Sequence, residues 1–441
     1  MSRTNIYDDD WRYSLIRKYV RLGTRLCYRK FHVIGKEKIP QDGSLIYVSN
    51  HTGSLMDPLV QLAADGNKIV FMARADVFKN PSVIKLLNFL RILPVYRIRD
   101  GYTAVKGNDK VIEQAVEVLR SRTPLALYPE GTHRTKHSLL RLNKGVFHIA
   151  LEAERRMGGK WPVYIVPMGI EYGDYFRFRP TLELEIGDAI RVDEYITQFY
   201  AEHASDEEEQ NEARLINAFR NTLTDSLSPL FSYIPDDEDY EAIWELTKIF
   251  TTQRHPRTPA DRKRFNQEEI SSLLEMRKNH STEAAKLFSD ALSFKDARQK
   301  PHVSIFSTFS TDWKHILLNA SLKGLLLLIL LPLYLFCGIV TAPIWITGAT
   351  LAKRAKDNTW RNTWRFAPYI ILMPIITILV ALFAFSKLPW YIALVFTIFT
   401  MFGIPIVYDW AEHFRRLCSD WVWLFSPQLR EQLQQILKES H

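Results

Sequence analysis

The sequence predicts an α/β protein, a largely parallel sheet covered by helices, followed by a charged helical segment and a membrane-embedded helical region. Three observations predict it. Between residues 43 and 188 short apolar runs alternate with amphipathic segments, the pattern of strand–helix units. Polar, glycine-bearing loops follow several of those runs, where α/β sheets gather ligands. After Gly324 come three stretches with no charged residue, too long for the core helices of a soluble domain.

Composition narrows the functional classes. The chain has 441 residues and a net charge of +8, which suits an anionic partner such as a phosphorylated substrate or a bilayer surface. No nucleic-acid motif accompanies the charge, so nucleic acid is not an expected partner. Cys27, Cys337 and Cys418 are widely separated and make neither a metal-binding nor a redox spacing, so no metal is expected. The first ten residues lack an apolar core, so no signal peptide is expected there and the soluble part should face the cytoplasm.

Taken in order, residues 11–31 read as a helix in which Leu15, Ile16, Tyr19 and Leu22 interleave with Arg17, Lys18, Arg21 and Arg25. Without an acidic residue, it fits either an anionic headgroup region or a helix packed with a solvated basic face. Strands are expected at 45–49, 69–73, 92–96, 125–128, 163–168 and 182–186, and helices at 81–90, 108–119 and 145–156. In the second helix Val111, Ile112, Ala115, Val116 and Leu119 recur at helical spacing.

Three loops carry the chemistry. After the run 45–48 come Asn50, His51, Gly53 and Asp57. Imidazole takes a proton near neutral pH, and a carboxylate on its far nitrogen fixes the tautomer and stabilises the imidazolium. No Ser or Cys stands out as an activated nucleophile, so the substrate hydroxyl itself is the expected nucleophile, with His51 as its base. The second loop follows Pro94-Val95-Tyr96 and carries Arg97, Arg99 and Asp100, guanidinium forks suited to phosphate oxygens. The third, Tyr128-Pro129-Glu130-Gly131-Thr132-His133-Arg134, precedes Lys144-Gly145. There a glycine admits a ligand to the backbone, Thr132 offers a hydroxyl and Lys144 opens a helix toward a phosphate. His133 and His148 read as supporting or structural residues.

These segments, with Ile165-Val166-Pro167-Met168-Gly169, occur in the order of the four blocks of the glycerolipid acyltransferase family, which residues 30–190 resemble. The segments 175–179 and 235–240 are similar to the subgroup related to fungal glycerol-3-phosphate acyltransferases. The resemblance implies a mixed sheet flanked by helices and acyl transfer from acyl-CoA or acyl carrier protein to glycerol 3-phosphate or lysophosphatidate, with no cofactor. It makes His51 the general base and Asp57 its orienting partner. Arg97, Arg99, Glu130, Gly131, Thr132, Arg134 and Lys144 would then contact the substrate. Two departures are visible. Five residues separate His51 from Asp57 where the family usually has four, and six steps of an ideal helix turn side chains about 240° apart. The loop must therefore bend, with Gly53 as the expected bend. The glycine expected at the start of the second block is replaced near Arg91 or Ile92.

The expected organisation is a basic amphipathic helix at 1–31, a catalytic domain at 32–195 and a charged helical region at 196–310. A transmembrane or re-entrant region at 311–410 and an amphipathic tail at 411–441 complete it. The runs at 366–386 and 388–408 would each extend about 31 Å as helices, enough for a hydrocarbon core of about 30 Å. Lys353, Arg354, Lys356, Arg361 and Arg365 lie between the first and second runs. Keeping that basic link cytoplasmic requires the first run to dip in and return, kinked at Pro332 and Pro343. Two other readings share these residues: an acyltransferase of another lysolipid or an amino-acid-containing lipid, and a lipid-binding protein without catalysis.

Overall fold

A computed structural model describes residues 5–95, 108–157, 159–203 and 208–439. They form two compact units: residues 1–25, 31–175 and 182–231 in one, residues 26–30, 176–181 and 232–441 in the other.

The first unit is built on a mixed sheet of eight strands among the described residues, in the order β1-β7-β6-β2-β5-β3-β4 with β8 beside β6. The strands are β1 (Lys30–Ile34), β2 (Ser44–Ser49), β3 (Val70–Arg74), β4 (Ile92–Val95), β5 (Leu125–Leu127), β6 (Val163–Tyr172), β7 (Thr181–Ile186) and β8 (Ile190–Arg191). β2 lies between β5 and β6 and is parallel to both. Every residue of β2 is buried, as an internal strand covered on both faces must be, which is why it reads as an apolar run. β6 pairs antiparallel with β7 and β8, which makes the sheet mixed. β1 and β8 escape periodicity because they are short and half-exposed.

The helices of this unit are α1 (Trp11–Leu26), α2 (Met56–Asp65), α3 (Pro81–Phe89), α4 (Asn108–Arg120), α5 (Gly145–Met157), α6 (Val192–Glu202) and α7 (Glu208–Leu227). One core joins the sheet to α4–α7: Ile46, Val70, Leu125 and Ile165 meet Val116, Leu119, Phe147, Phe199, Phe219 and Leu223. Each such side chain stabilises by about 1.5–3 kcal/mol when fully buried.

α1 ends at Leu26, short of the expected 31, because Lys30 begins β1. Three of its arginines reach α2: Arg25 donates to Ala63 O at 3.0 Å, and Arg17 and Arg21 reach Gly66 O at the end of that helix. Cations at a helix C-terminus satisfy otherwise orphaned carbonyls. Trp11, Leu15, Ile16, Tyr19 and Leu22 are left exposed on α1. Arg91 takes a left-handed φ of 63° and is fully buried. It therefore occupies the backbone position that suits a glycine, and its guanidinium donates to Tyr7 O and Asp8 O and lies over the Tyr13 ring.

The second unit contains α8 (Tyr240–Gln253), α9 (Pro259–Asn279), α10 (Ser281–Gln299), α11 (Trp313–Val340), α12 (Ala342–Arg354), α13 (Arg361–Lys387), α14 (Trp390–Met401), α15 (Gly403–Leu424) and α16 (Pro427–Glu439). The tail is packed: Leu429, Leu433 and Ile436 of α16 share a core with Ile243, Leu246, Leu273, Phe288 and Trp423. Two segments singled out by sequence have structural work here. Arg177 and Arg179 bind Glu412 and Asp409 of α15 at 2.6 and 2.8 Å, and Arg277 binds Asp237 and Asp239.

Among the described residues two helices are long and apolar enough to cross a membrane, Trp313–Val340 and Asn358–Lys387; α14 and α15 pass the same test as a pair bent by 60°. Of the two expected kinks in the first run, Pro343 stands at a break, in the first turn of α12, and Pro332 does not. α11 runs straight through Pro332 and stops at Thr341, whereas the run 388–408 is broken at Phe402. There a Cβ on Gly403 would meet the Thr341 methyl at 2.7 Å, so the two breaks pack against each other. α12 then returns beside α13, with Gly348 against the backbone of Arg365.

Candidate active site

The site is built at the end of β2. The ladder between β2 and β6 ends with Ser49 opposite Met168, and the next side chain extends it. Asn50 Nδ2 donates to Ile170 O at 3.0 Å, and Ile170 N donates to Asn50 Oδ1 at 2.8 Å. This amide pair fixes where the chain leaves the sheet and so where His51 starts.

His51 and Asp57 meet, with Nδ1 and Oδ2 2.7 Å apart. Asp57 sits in the first turn of α2 rather than on one helix with His51. The bend lies at Ser54, whose φ is 53°, while Met56 N and Asp57 N close turns onto Gly53 O and Ser54 O. Gly53 is needed for another reason: a Cβ there would lie 2.6 Å from Asp57 Oδ1 and 2.7 Å from Tyr172 Oη. The Asp57 carboxylate also accepts from Thr52 N, Gly53 N and Tyr172 Oη at 2.9, 2.8 and 2.6 Å. Its side chain is fully buried, and that of His51 is 17% exposed. The imidazole stacks on Tyr128 at 4.3 Å and receives His133 edge-on at 5.3 Å.

Glu130 joins the third loop to the first. Its Oε1 accepts from His51 N at 2.8 Å and its Oε2 from Leu140 N at 3.0 Å. Burial pushes its carboxyl above the usual range, against the pull of those two amides and the His51 and Arg134 charges. Gly131 adopts a φ of 67°, and a Cβ there would strike Asn143 Nδ2 at 2.6 Å, which itself donates to Pro129 O. Arg134 N donates to His51 O, and its guanidinium binds Ser138 Oγ. Thr132 is half-buried on the same loop, and Lys144 is exposed at the start of α5. Arg97 and Arg99 lie outside the described residues. His148 stands on α5, where burial lowers its pKa.

The structure thus brings together His51, Asp57, Glu130 and Arg134. Sequence reading missed Tyr172 and Asn50 as parts of the site. Asn50 stood beside His51 as a usable signal; Tyr172 lies 115 positions from Asp57 and offers none without the β2–β6 register. No group of His, Cys, Asp and Glu suited to a metal occurs among the described residues.

Residues 30–171, which include this whole constellation except Tyr172, match the Acyltransferase family. The match supports a likeness of this segment to acyltransferases. Over 138 residues the chain is 24% identical to the 1-acyl-sn-glycerol-3-phosphate acyltransferase of Borreliella burgdorferi, a match covering 31% of this chain and 53% of that protein. The chain thus spans about half the length of the curated relative it matches. The crystal structure of a 1-acyl-sn-glycerophosphate acyltransferase from Thermotoga maritima is 22% identical to it. That likeness covers 48% of this chain and 78% of the other, with a TM-score of 0.32.

Proposed function

We propose that the protein is a membrane-bound O-acyltransferase that moves a fatty acyl group from acyl-CoA or acyl carrier protein to glycerol 3-phosphate or lysophosphatidate. With Nδ1 engaged by Asp57, Nε2 of His51 is the nitrogen left to accept the proton of the acceptor hydroxyl. The oxygen attacks the thioester carbonyl, the tetrahedral intermediate collapses, and the C–S bond breaks as the ester forms. The departing thiolate takes up the proton that His51 removed. A thioester is electrophilic enough for one base and a positioned hydroxyl to suffice, without a covalent enzyme intermediate.

One observation carries this reading: the 2.7 Å His51–Asp57 contact, with the same carboxylate held by two amides and a tyrosine hydroxyl. Such a carboxylate holds the imidazole in one tautomer and offsets the charge it gains. Arg97, Arg99 and Lys144 are assigned to substrate phosphate, and Gly131, Thr132 and Arg134 to shaping the acceptor loop.

The membrane region keeps its basic residues on the cytoplasmic side. α12 turning back beside α13 supports a broken hairpin followed by two crossings joined at Ser386-Lys387-Leu388-Pro389. The exposed apolar face of α1 supports contact of that helix with the same membrane surface.

The deciding assay gives the purified full chain labelled acyl-CoA and acyl carrier thioesters with glycerol 3-phosphate, lysophosphatidate and other lysophospholipids. Phosphate-bearing acceptors are expected to be acylated and His51→Ala to be inactive. Undiminished transfer by His51→Ala would remove the proposed base.

A further inference from the structure

Arginines gather on one face of α15 in the second unit. Asp409 Oδ1 accepts from Arg29 Nε at 3.1 Å, and Arg179 holds both oxygens of that carboxylate through Nε and Nη2 at 2.9 and 2.8 Å. One turn on, Glu412 accepts from Arg415 Nε at 3.1 Å and Nη2 at 2.8 Å, from Arg416 Nε at 2.8 Å and from Arg177 Nη1 at 2.6 Å. Side chains three apart on a helix are neighbours, so the two carboxylates make one cluster. Leaving Arg177 aside, four guanidinium groups share two carboxylates. The outer nitrogens of Arg29 and Arg416 have no hydrogen-bond partner among the described residues and are not enclosed.

The cluster stands at the border of the apolar helices. Arg365, the last charge before the apolar run of α13, donates to Phe176 O at 2.6 Å, next to Arg177. Trp410, between Asp409 and Glu412, donates to Leu327 O of α11 at 3.1 Å and stacks on Tyr334 at 4.0 Å. Leu327 lies in the charge-free stretch of α11, where Leu325, Leu326, Leu328 and Ile329 are exposed. Phe178, between Arg177 and Arg179, packs on Tyr369 and Tyr408. Tyrosine and tryptophan rings mark the headgroup level of a bilayer, and ionisable groups beside lipid-facing helices are ordinarily functional. The acids hold Arg29 and Arg416 by the inner nitrogen and leave each outer fork to an anion. That fork suits the oxygens of a phosphate, and the attraction strengthens where water is scarce.

We propose that this cluster binds the phosphate of an anionic membrane phospholipid, with Arg29 and Arg416 as the principal donors. The apolar side chains exposed on α11 at the same level give its acyl chains a surface. The site rests on the membrane reading and not on acyl transfer.

The test reads binding apart from turnover. Full-length protein in dodecyl maltoside micelles is given a fluorescent phosphatidylglycerol. Anisotropy then follows its displacement by phosphatidylglycerol, phosphatidate, phosphatidylcholine, diacylglycerol and inorganic phosphate. The two anionic lipids should displace it at least tenfold better than the two uncharged overall, and inorganic phosphate should not displace it at tenfold higher concentration. Arg29→Gln and Arg416→Gln should each weaken phosphatidylglycerol fivefold or more and leave phosphatidylcholine within twofold. Arg415→Gln, which leaves two other arginines on Glu412, should do the same and decides the matter if Arg416→Gln does not fold. Lys286→Gln makes an equal charge change on α10, where the lysine pairs with Glu439, and should leave every affinity within twofold. His51→Ala should also leave phosphatidylglycerol unchanged, which separates this cluster from the proposed transfer site. Equal displacement by phosphatidylcholine, an equal loss in Lys286→Gln or His51→Ala, or unchanged affinity in folded Arg29→Gln and Arg415→Gln would overturn the site. Displacement by inorganic phosphate at lipid concentrations would overturn it in favour of a free anion. Release of the chain from membranes by alkaline carbonate would sink the membrane reading itself.

Discussion

The hydroxyl of Tyr172 donates to Oδ1 of Asp57 at 2.6 Å, while His51 takes Oδ2. The acid is thus oriented from both sides, once by a residue of the matched family segment and once by a residue just beyond it. Tyr172→Phe removes one donor without changing shape. We expect kcat to fall about tenfold with acceptor KM unchanged, since positioned general bases contribute about 10²–10⁴-fold in all. Steady-state kinetics on both substrates check it; a rise in KM at constant kcat would place Tyr172 in binding instead.

Gly53→Ala should act on the same atoms from the other direction. The added methyl would lie 2.6 Å from Asp57 Oδ1, so either the carboxylate or the loop must yield. Activity should drop about as far as in Asp57→Asn, with the thermal transition lowered only modestly because the loop is at the edge of the core. An alanine variant with wild-type kcat would show that the pair tolerates a displaced carboxylate.

Glu130 gives a pH signature. Its carboxyl is raised above the ordinary 4.5 by burial, so the protonated form favours folding. That contribution is complete below about 4.5 and is lost as pH rises through the higher folded-state value. The stability of the wild type relative to Glu130→Gln should therefore decline on going from pH 4 to pH 7, measured by thermal unfolding of the full chain. A difference that grows with pH would mean that the two amides hold the ionised form better than burial opposes it.

Arg91→Gly sets two effects against each other. Relief of the left-handed backbone favours the glycine by about 1–2 kcal/mol. Two hydrogen bonds from a charged donor, about 1.5–3 kcal/mol each, and a ring contact are lost. Net destabilisation of about 1.5–6 kcal/mol is expected, read from denaturant midpoints; a stabilised variant would show that the contacts to Tyr7 and Asp8 contribute little.

Membrane topology is checked by a reporter after Arg361 and another at Lys387. The first should be cytoplasmic and the second outside. The reverse result at Arg361 would favour three single crossings.

The sequence was most legible where one segment acts alone. β2 is an apolar run because both its faces are covered, and His51, Asp57 and the Glu130 loop follow strands that periodicity found. Legibility failed where position depends on distant partners. Ser54 rather than Gly53 makes the bend, because Gly53 is reserved for a close approach that only Tyr172 and Asp57 together impose. The arginines of α1 read as a solvated or lipid-facing stripe, yet they cap the carbonyls of α2, which local spacing cannot disclose. Of the two prolines in the first apolar run, Pro343 marked the break, standing in the first turn of α12 just after Thr341, whereas α11 continues through Pro332. Glu130, expected to touch substrate, has both oxygens engaged by loop amides.

Because three donors other than His51 hold Asp57, the anion is assembled before the ring is placed. Emptying that position with His51→Gly would leave a flat slot floored by the face of Tyr128 and ended by an aligned oxygen. Free imidazole added to the buffer could occupy it in the native ring's orientation and restore part of the turnover, whereas acetate, lacking a ring nitrogen, would not.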